Sequence, residues 1–103
     1  MENWKEIREK LSRTTKKVLL ECWIEELLKE KVDIVDVNEL IGGSPSDILD
    51  ILYEELGWEY EMLDSNGWEQ DTDYELTHPM YKKHLILSYS GFYWTMHLFV
   101  KSD

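Results

Sequence analysis

The chain has 103 residues and a formal net charge of −11 at pH 7, from 22 acidic and 11 basic residues. This length supports one domain, residues 1–103, and an apolar fraction of 43% with 5 tryptophans excludes an acidic disordered tail. The charge opposes direct contact with nucleic acid or anionic lipid, while the single cysteine and the lack of a signal sequence or membrane-length apolar run predict a cytoplasmic protein.

The first predicted element is a long helix. Apolar residues recur every three or four positions, so residues 3–31 are expected to be helical. The polar run Ser12-Arg13-Thr14-Thr15 can divide this segment, because serine and threonine compete for backbone hydrogen bonds inside helices. One helix and two helices both fit the pattern. Cys22 lies among apolar residues of this segment and is expected to be a small buried thiol.

Two shorter helices are predicted next. Asp36 opens a capping box for a short second helix from Val37 to Ile41. Ser44 is a favourable N-cap followed by a proline, so a third helix is expected from Pro45 to Leu56, ended by Gly57. The apolar stripe of this helix should face the core. Its opposite face carries Asp47, Asp50 and Glu54.

A first β-hairpin is predicted after the helices. Trp58 to Met62 alternates apolar and acidic residues, and the return strand runs from Trp68 to Leu76. We prefer a three-residue loop with Gly67 in the left-handed conformation, because this register opposes Trp58 to Tyr74 and leaves the sheet one apolar face. The other face then carries Glu59, Glu61, Glu69, Asp71, Asp73 and Glu75.

A second hairpin completes the predicted fold. It runs from His84 to Lys101 about a two-residue Ser90-Gly91 turn, which opposes His84 to His97. The whole chain is therefore expected to be an α+β domain. In it, a long first helix, a short second and a capped third precede a four-stranded antiparallel sheet of two hairpins. The exposed edges of such a sheet leave both a monomer and a homodimer open.

Residues 15–75 resemble the winged helix-turn-helix superfamily in layout. A short helix, the Gly42-Gly43 turn, a Ser44-Pro45 cap, a second helix ending in Leu56-Gly57-Trp58 and a hairpin in the position of the wing carry this resemblance. It implies a winged-helix fold that places the second of these helices in the major groove of DNA. The chain departs from the DNA-binding members, because the corresponding helix bears no lysine or arginine. Its acidic face should repel DNA.

Carboxylates are concentrated in the middle of the chain. Between Lys31 and Lys82, fifty residues include fourteen carboxylates and no lysine or arginine. Side chains two positions apart on a strand lie about 6.6 Å apart, similar to the spacing of phosphates on a nucleic-acid strand. A row of carboxylates can therefore imitate that backbone toward a basic protein. The predicted partner-binding residues are Asp47, Asp50, Glu54, Glu59, Glu61, Trp68, Glu69, Asp71, Asp73 and Glu75.

These features favour a small, non-enzymatic inhibitor that blocks the basic nucleic-acid-binding surface of a nuclease or defence complex. In charge and size the chain is similar to phage proteins of the anti-CRISPR and anti-restriction class, which would act in the host cell cytoplasm. One alternative is an immunity protein or antitoxin that caps a basic toxin. Another is a winged-helix DNA-binding regulator using the basic positions of the first helix. Those positions are Arg8, Arg13, Lys16 and Lys17.

No sequence motif indicates an enzyme, a cofactor or a metal site. The chain lacks a phosphate-binding glycine loop, a nucleophile motif and paired zinc ligands. His84 and His97 would need a third ligand to hold a metal, so their role is left open. Trp68, beside the first predicted turn, is placed to anchor a partner.

Overall fold

The computed structural model describes residues 13–40, 45–66, 71–91 and 95–102. The helices among them are α1 (Arg13–Leu28), α2 (Val37–Leu40) and α3 (Pro45–Glu54). The strands are β1 (Ile34–Asp36), β2 (Glu59–Asn66), β3 (Asp71–His78), β4 (Tyr81–Ser90) and β5 (Thr95–Val100). The strands form one antiparallel sheet in the order β1-β5-β4-β3-β2, so β2 is an edge strand.

The helices cover one face of this sheet. Residues paired across antiparallel strands share a face, and successive residues alternate between faces. Leu76 pairs with Leu85, and Leu87 pairs with Leu98, so these four side chains lie on the same side. All four are buried in one cluster with residues of α1 and α3. Burying each such leucine contributes about 1.5–3 kcal/mol, which makes this interface the main source of stability.

Both long helices end in backbone hydrogen bonds that close their last turns. At the end of α1, the amide of Lys31 donates to Glu26 O at 3.0 Å, and that of Glu30 donates to Leu27 O at 3.1 Å. This pair of bonds is the Schellman motif, which requires a left-handed residue. Glu30 occupies that position with a φ of 60°. After α3, Gly57 is left-handed with a φ of 79°, and its conformation turns the chain into β2.

The chain is α+β, but the predicted arrangement of three helices followed by a four-stranded sheet is wrong. The described residues form five strands and only two helices longer than a single turn, α1 and α3. The short second helix is α2, whose predicted last residue Ile41 lies outside the described residues, and β1 precedes it, paired with β5. Three residues are too few for an alternating pattern to reveal a strand. Residues 1–12 lie outside the described residues. The prediction of one or two helices over residues 3–31 therefore stays open.

Both predicted hairpin registers are also wrong, and each is displaced by the same amount. Tyr60 pairs with Leu76 rather than with Thr72, and Leu85 pairs with Val100 rather than with Met96. A shift of four residues keeps every side chain on its predicted face, because strand side chains alternate with a period of two. The connections are longer than the tight turns that local sequence favours. The observed register opposes buried Leu87 to buried Leu98, which local turn rules do not consider.

None of the helices in the described ranges is long and apolar enough to cross a membrane.

Candidate functional site

The face of the sheet turned away from the helices is referred to below as the open face. The strand register places alternate residues of every strand on the open face. The chemistry of these side chains changes from one edge of the sheet to the other. The side near β4 and β5 combines histidine, lysine and apolar residues. The side near β2 and β3 is acidic. Its described carboxylates are Glu59, Glu61, Asp71, Asp73 and Glu75.

Four of these carboxylates, Glu59, Glu61, Asp71 and Asp73, form what we call the acidic edge. Glu59 and Glu61 are exposed on β2, whereas Asp71 and Asp73 are half-buried on β3. Within the described residues, no lysine, arginine or histidine forms an ion pair with any of the four. The acidic edge therefore projects its negative potential into solvent.

Glu75 differs from the acidic edge because the protein neutralises it internally. Lys101 Nζ donates to Glu75 Oε1 at 3.0 Å, and His84 Nδ1 lies 2.5 Å from Glu75 Oε2. The hydrogen bond from Lys101, followed by that from His84, lowers the pKa of the Glu75 carboxyl below its ordinary value. Glu61 lies directly opposite Glu75. Since like charges across a strand pair are destabilising, the Lys101 cation stabilises the sheet where these two carboxylates face each other.

Asp71 marks the inner limit of the acidic edge. Its Oδ1 atom is buried and has no hydrogen-bond partner. A buried carboxylate oxygen without a partner carries a desolvation cost. Asp71 pairs with Asn66 on one side and with Ser90 on the other, so it lies on the inner of the two acidic strands.

The acidic positions of α3 are separated from the acidic edge. Asp47, Asp50 and Glu54 are exposed on a helix that packs against the opposite face of the sheet. The two groups therefore point to opposite sides of the domain. Arg13 of α1 binds Glu54 at 2.8 Å and Glu55 at 3.4 Å, which neutralises part of the helix row. It also reduces the free positive charge of α1 on which a DNA-binding role would depend.

Two predicted partner-binding residues, Trp68 and Glu69, lie outside the described residues. Trp58, by contrast, is buried and belongs to the core. The sequence pattern assigned the apolar residues of β2 to the core as well. The structure instead exposes 45% of Tyr60 and 57% of Met62, which lie on the edge strand of the sheet.

The exposed apolar residues of β2 form a second feature beside the acidic edge. Tyr60 makes T-shaped ring contacts with Tyr53 of α3 and Tyr74 of β3. The ring centroids are 6.2 Å and 6.1 Å apart, respectively. Leu63, which is 49% exposed, lies where the β2–β3 register shifts between Met62 and Asp64. Sequence reasoning missed this apolar edge, since the alternation of β2 does not reveal which strand ends the sheet.

An open cavity lies between α1 and the β3–β4 turn. Its volume is about 410 Å³, and its floor contains stacked aromatic rings, with Trp58 and Tyr81 nearly parallel at a centroid separation of 5.6 Å. Glu25 and Lys29 on its rim form an ion pair at 2.7 Å. The charges of Glu25 and Lys29 therefore satisfy each other, while Glu21, His78 and Tyr81 also contribute polar groups to the lining.

The histidines and the cysteine occupy places that the sequence did not predict. His84 does not face His97. It binds Glu75, whereas His97 Nε2 lies 3.8 Å from Asp36 Oδ2. Cys22 is exposed on α1 rather than buried. Across the described ranges, no three histidine, cysteine, aspartate or glutamate side chains are grouped so as to hold a metal ion.

Comparison with known proteins gives no relative: no family model, no curated protein and no solved structure matches this chain.

Proposed function

We propose that this chain is a small, non-enzymatic cytoplasmic inhibitor that binds the basic nucleic-acid-binding surface of a nuclease or defence complex. The observation that carries the proposal is the acidic edge, whose carboxylates lie on the open face of two adjacent strands and form no ion pair with a cation of the described residues. A surface that needed acid only for solubility would not require these carboxylates to share one face of neighbouring strands. Glu61 lies opposite Glu75, but Lys101 and His84 bind Glu75 and leave Glu61 for a cation of a partner.

The geometry of the acidic edge suits imitation of a nucleic-acid strand. Glu59 and Glu61 lie two positions apart on β2, as do Asp71 and Asp73 on β3, so each pair spans about 6.6 Å. A groove that binds phosphates with lysine and arginine would meet negative groups at a similar spacing. Electrostatic attraction of this kind accelerates association and weakens as salt is added.

Affinity capture from the organism that encodes the chain tests this proposal. The bait is compared with the triple variant Glu59→Gln, Glu61→Gln, Asp73→Asn. Its matched control removes three exposed carboxylates elsewhere. These control substitutions are Glu21→Gln, Glu30→Gln and Asp33→Asn.

We expect the wild-type chain and the control to retain a basic nucleic-acid-binding protein, and the triple variant to bind it at least about tenfold more weakly. The purified partner should lose binding to labelled DNA or RNA as the chain is added, and this competition should weaken with salt. The proposal is wrong if the partner still binds nucleic acid when saturated with the chain. It is also wrong if affinity is the same at low and high salt, whereas equal loss in the control would move the site away from the acidic edge.

A further inference from the structure

The outer side of β2 is an unpaired strand edge with an unusual distribution of side chains. No other strand of the described residues pairs with it, because β2 ends the sheet. In its first half, Glu59 and Glu61 point to the open face, while Tyr60 and Met62 point to the helix-covered face. All four side chains are exposed. Every second residue of an edge strand also presents its backbone N–H and C=O groups outward, where another strand can bond them.

We propose that β2 binds an extended segment of the partner protein as an additional antiparallel strand, and that lysine or arginine alternates with apolar residues in this segment. The inference rests on the proposed function in taking the partner to be basic. It adds the mode of binding, which the acidic edge alone does not define. Main-chain hydrogen bonds would provide affinity, and the alternating side chains would provide selectivity.

Charge complementarity predicts which side chains the bound segment places on the open face. Its basic residues would lie on the open face beside Glu59 and Glu61, which have no counterion among the described residues. Lys101 and His84 on the same face are already bound to Glu75. The carboxylates of β2 are therefore the ones left for cations of another chain.

The exposed apolar residues of β2 predict which side chains the bound segment places on the helix-covered face. Side chains on the helix-covered face would pack beside Tyr60 and Met62, next to Tyr53, which is itself 57% exposed. The contact between the rings of Tyr53 and Tyr60 already holds this surface in place. An incoming valine or isoleucine would therefore cover apolar groups that α3 leaves open to water.

The same charges disfavour a second copy of this chain as the occupant. Antiparallel pairing of two β2 strands would bring Glu59 and Glu61 of one copy beside those of the other. Like charges across a strand pair are destabilising, and charged edge strands are a common way of preventing self-association. The register shift after Met62 also limits the regular edge to Glu59–Met62. A short segment of opposite charge fits this edge better than a second β2 does.

A designed peptide tests the inference directly. The probe is a blocked peptide of about seven residues, a typical strand length, in which lysine alternates with valine or isoleucine. One comparison peptide has the same composition in scrambled order. Another keeps the sequence but carries N-methyl groups on the amides of one edge, which removes donors without changing charge. Binding is measured by calorimetry, and amide hydrogen exchange is followed at Glu59–Met62.

We expect the alternating peptide to bind one chain and to slow amide exchange in Glu59–Met62. The N-methylated and scrambled peptides should bind about tenfold more weakly, because they lose main-chain bonds or the match of faces. The variant Met62→Lys should lower affinity by a similar factor. Met80→Lys is its matched control, since Met80 is 81% exposed at the β3–β4 turn and the added charge is the same. It should bind as the wild type does.

The outcomes separate this inference from the proposed function. If all the basic peptides bind equally and weaken equally with salt, strand pairing is wrong while attraction by the acidic edge stands. If the alternating peptide binds as expected but the captured partner keeps its nucleic acid, the proposed function fails and strand pairing stands. If no peptide binds and sedimentation shows a dimer that Met62→Lys dissociates, the occupant of β2 is a second copy and the inference is overturned.

Discussion

Glu30 offers a direct test of how α1 ends, because a residue with a Cβ atom occupies a backbone position that favours glycine. A φ of 60° places Glu30 in the left-handed region, which costs an L-residue about 1–2 kcal/mol. Glycine avoids the steric cost but loses about 0.5–1 kcal/mol more backbone entropy on folding. Glu30→Gly should therefore stabilise the protein by a net amount of about 0.5–1 kcal/mol before side-chain contacts are considered.

The ion pair that Glu30 makes is the opposing contribution. Its Oε1 lies 3.2 Å from Lys83 Nζ, with 79% of the glutamate side chain and 43% of the lysine side chain exposed. An exposed pair of this kind contributes about 0–1 kcal/mol. Lys83 keeps its other bond, to Leu28 O at 3.2 Å, when Glu30 is replaced. We expect the gain to exceed the loss slightly.

Glu30→Ala is the matched control, since it removes the same ion pair but keeps a Cβ atom in the left-handed region. Urea denaturation of both variants measures the difference in free energy of unfolding, provided that the slope is unchanged. We expect Glu30→Gly to be about 0.5–1 kcal/mol more stable than Glu30→Ala. Equal stability of the two variants would refute the argument that left-handed strain is stored at this position.

Three further predictions concern the turn, the core and pH. Gly57→Ala should lower the free energy of unfolding by at least about 1 kcal/mol, because φ is 79° and the new Cβ would lie 3.2 Å from His78 Nε2; an unchanged urea midpoint would contradict this. Leu87→Ala removes a fully buried side chain and should cost about 2–5 kcal/mol, measured in the same assay; a near-neutral result would mean that this part of the core is not tightly packed. Lys101→Met should destabilise the protein at neutral pH, since Lys101 lowers the pKa of Glu75. A lowered carboxyl pKa contributes stability above the unfolded value and loses it on acidification. The wild-type and Lys101→Met urea midpoints should therefore converge below pH of about 4.3, and a constant difference across pH would exclude this linkage.

The sequence by itself determined the features that depend on neighbouring residues. The first position of α3 at Pro45 and the division of β2 into acidic and apolar sides follow from local conformational preference and from side-chain periods of 3.6 and 2. The α+β class follows in the same way. So does the concentration of carboxylates between Lys31 and Lys82.

Tertiary structure alone decided which of those carboxylates lie together and which are neutralised. Glu75 is bound by Lys101, and Glu54 by Arg13, through contacts between residues far apart in the chain. Strand register depended on opposing Leu87 to Leu98, and β1 exists only as a partner of β5. Such pairings gain free energy from burial and charge across distant segments. A pattern confined to a few neighbouring residues contains no information about that energy.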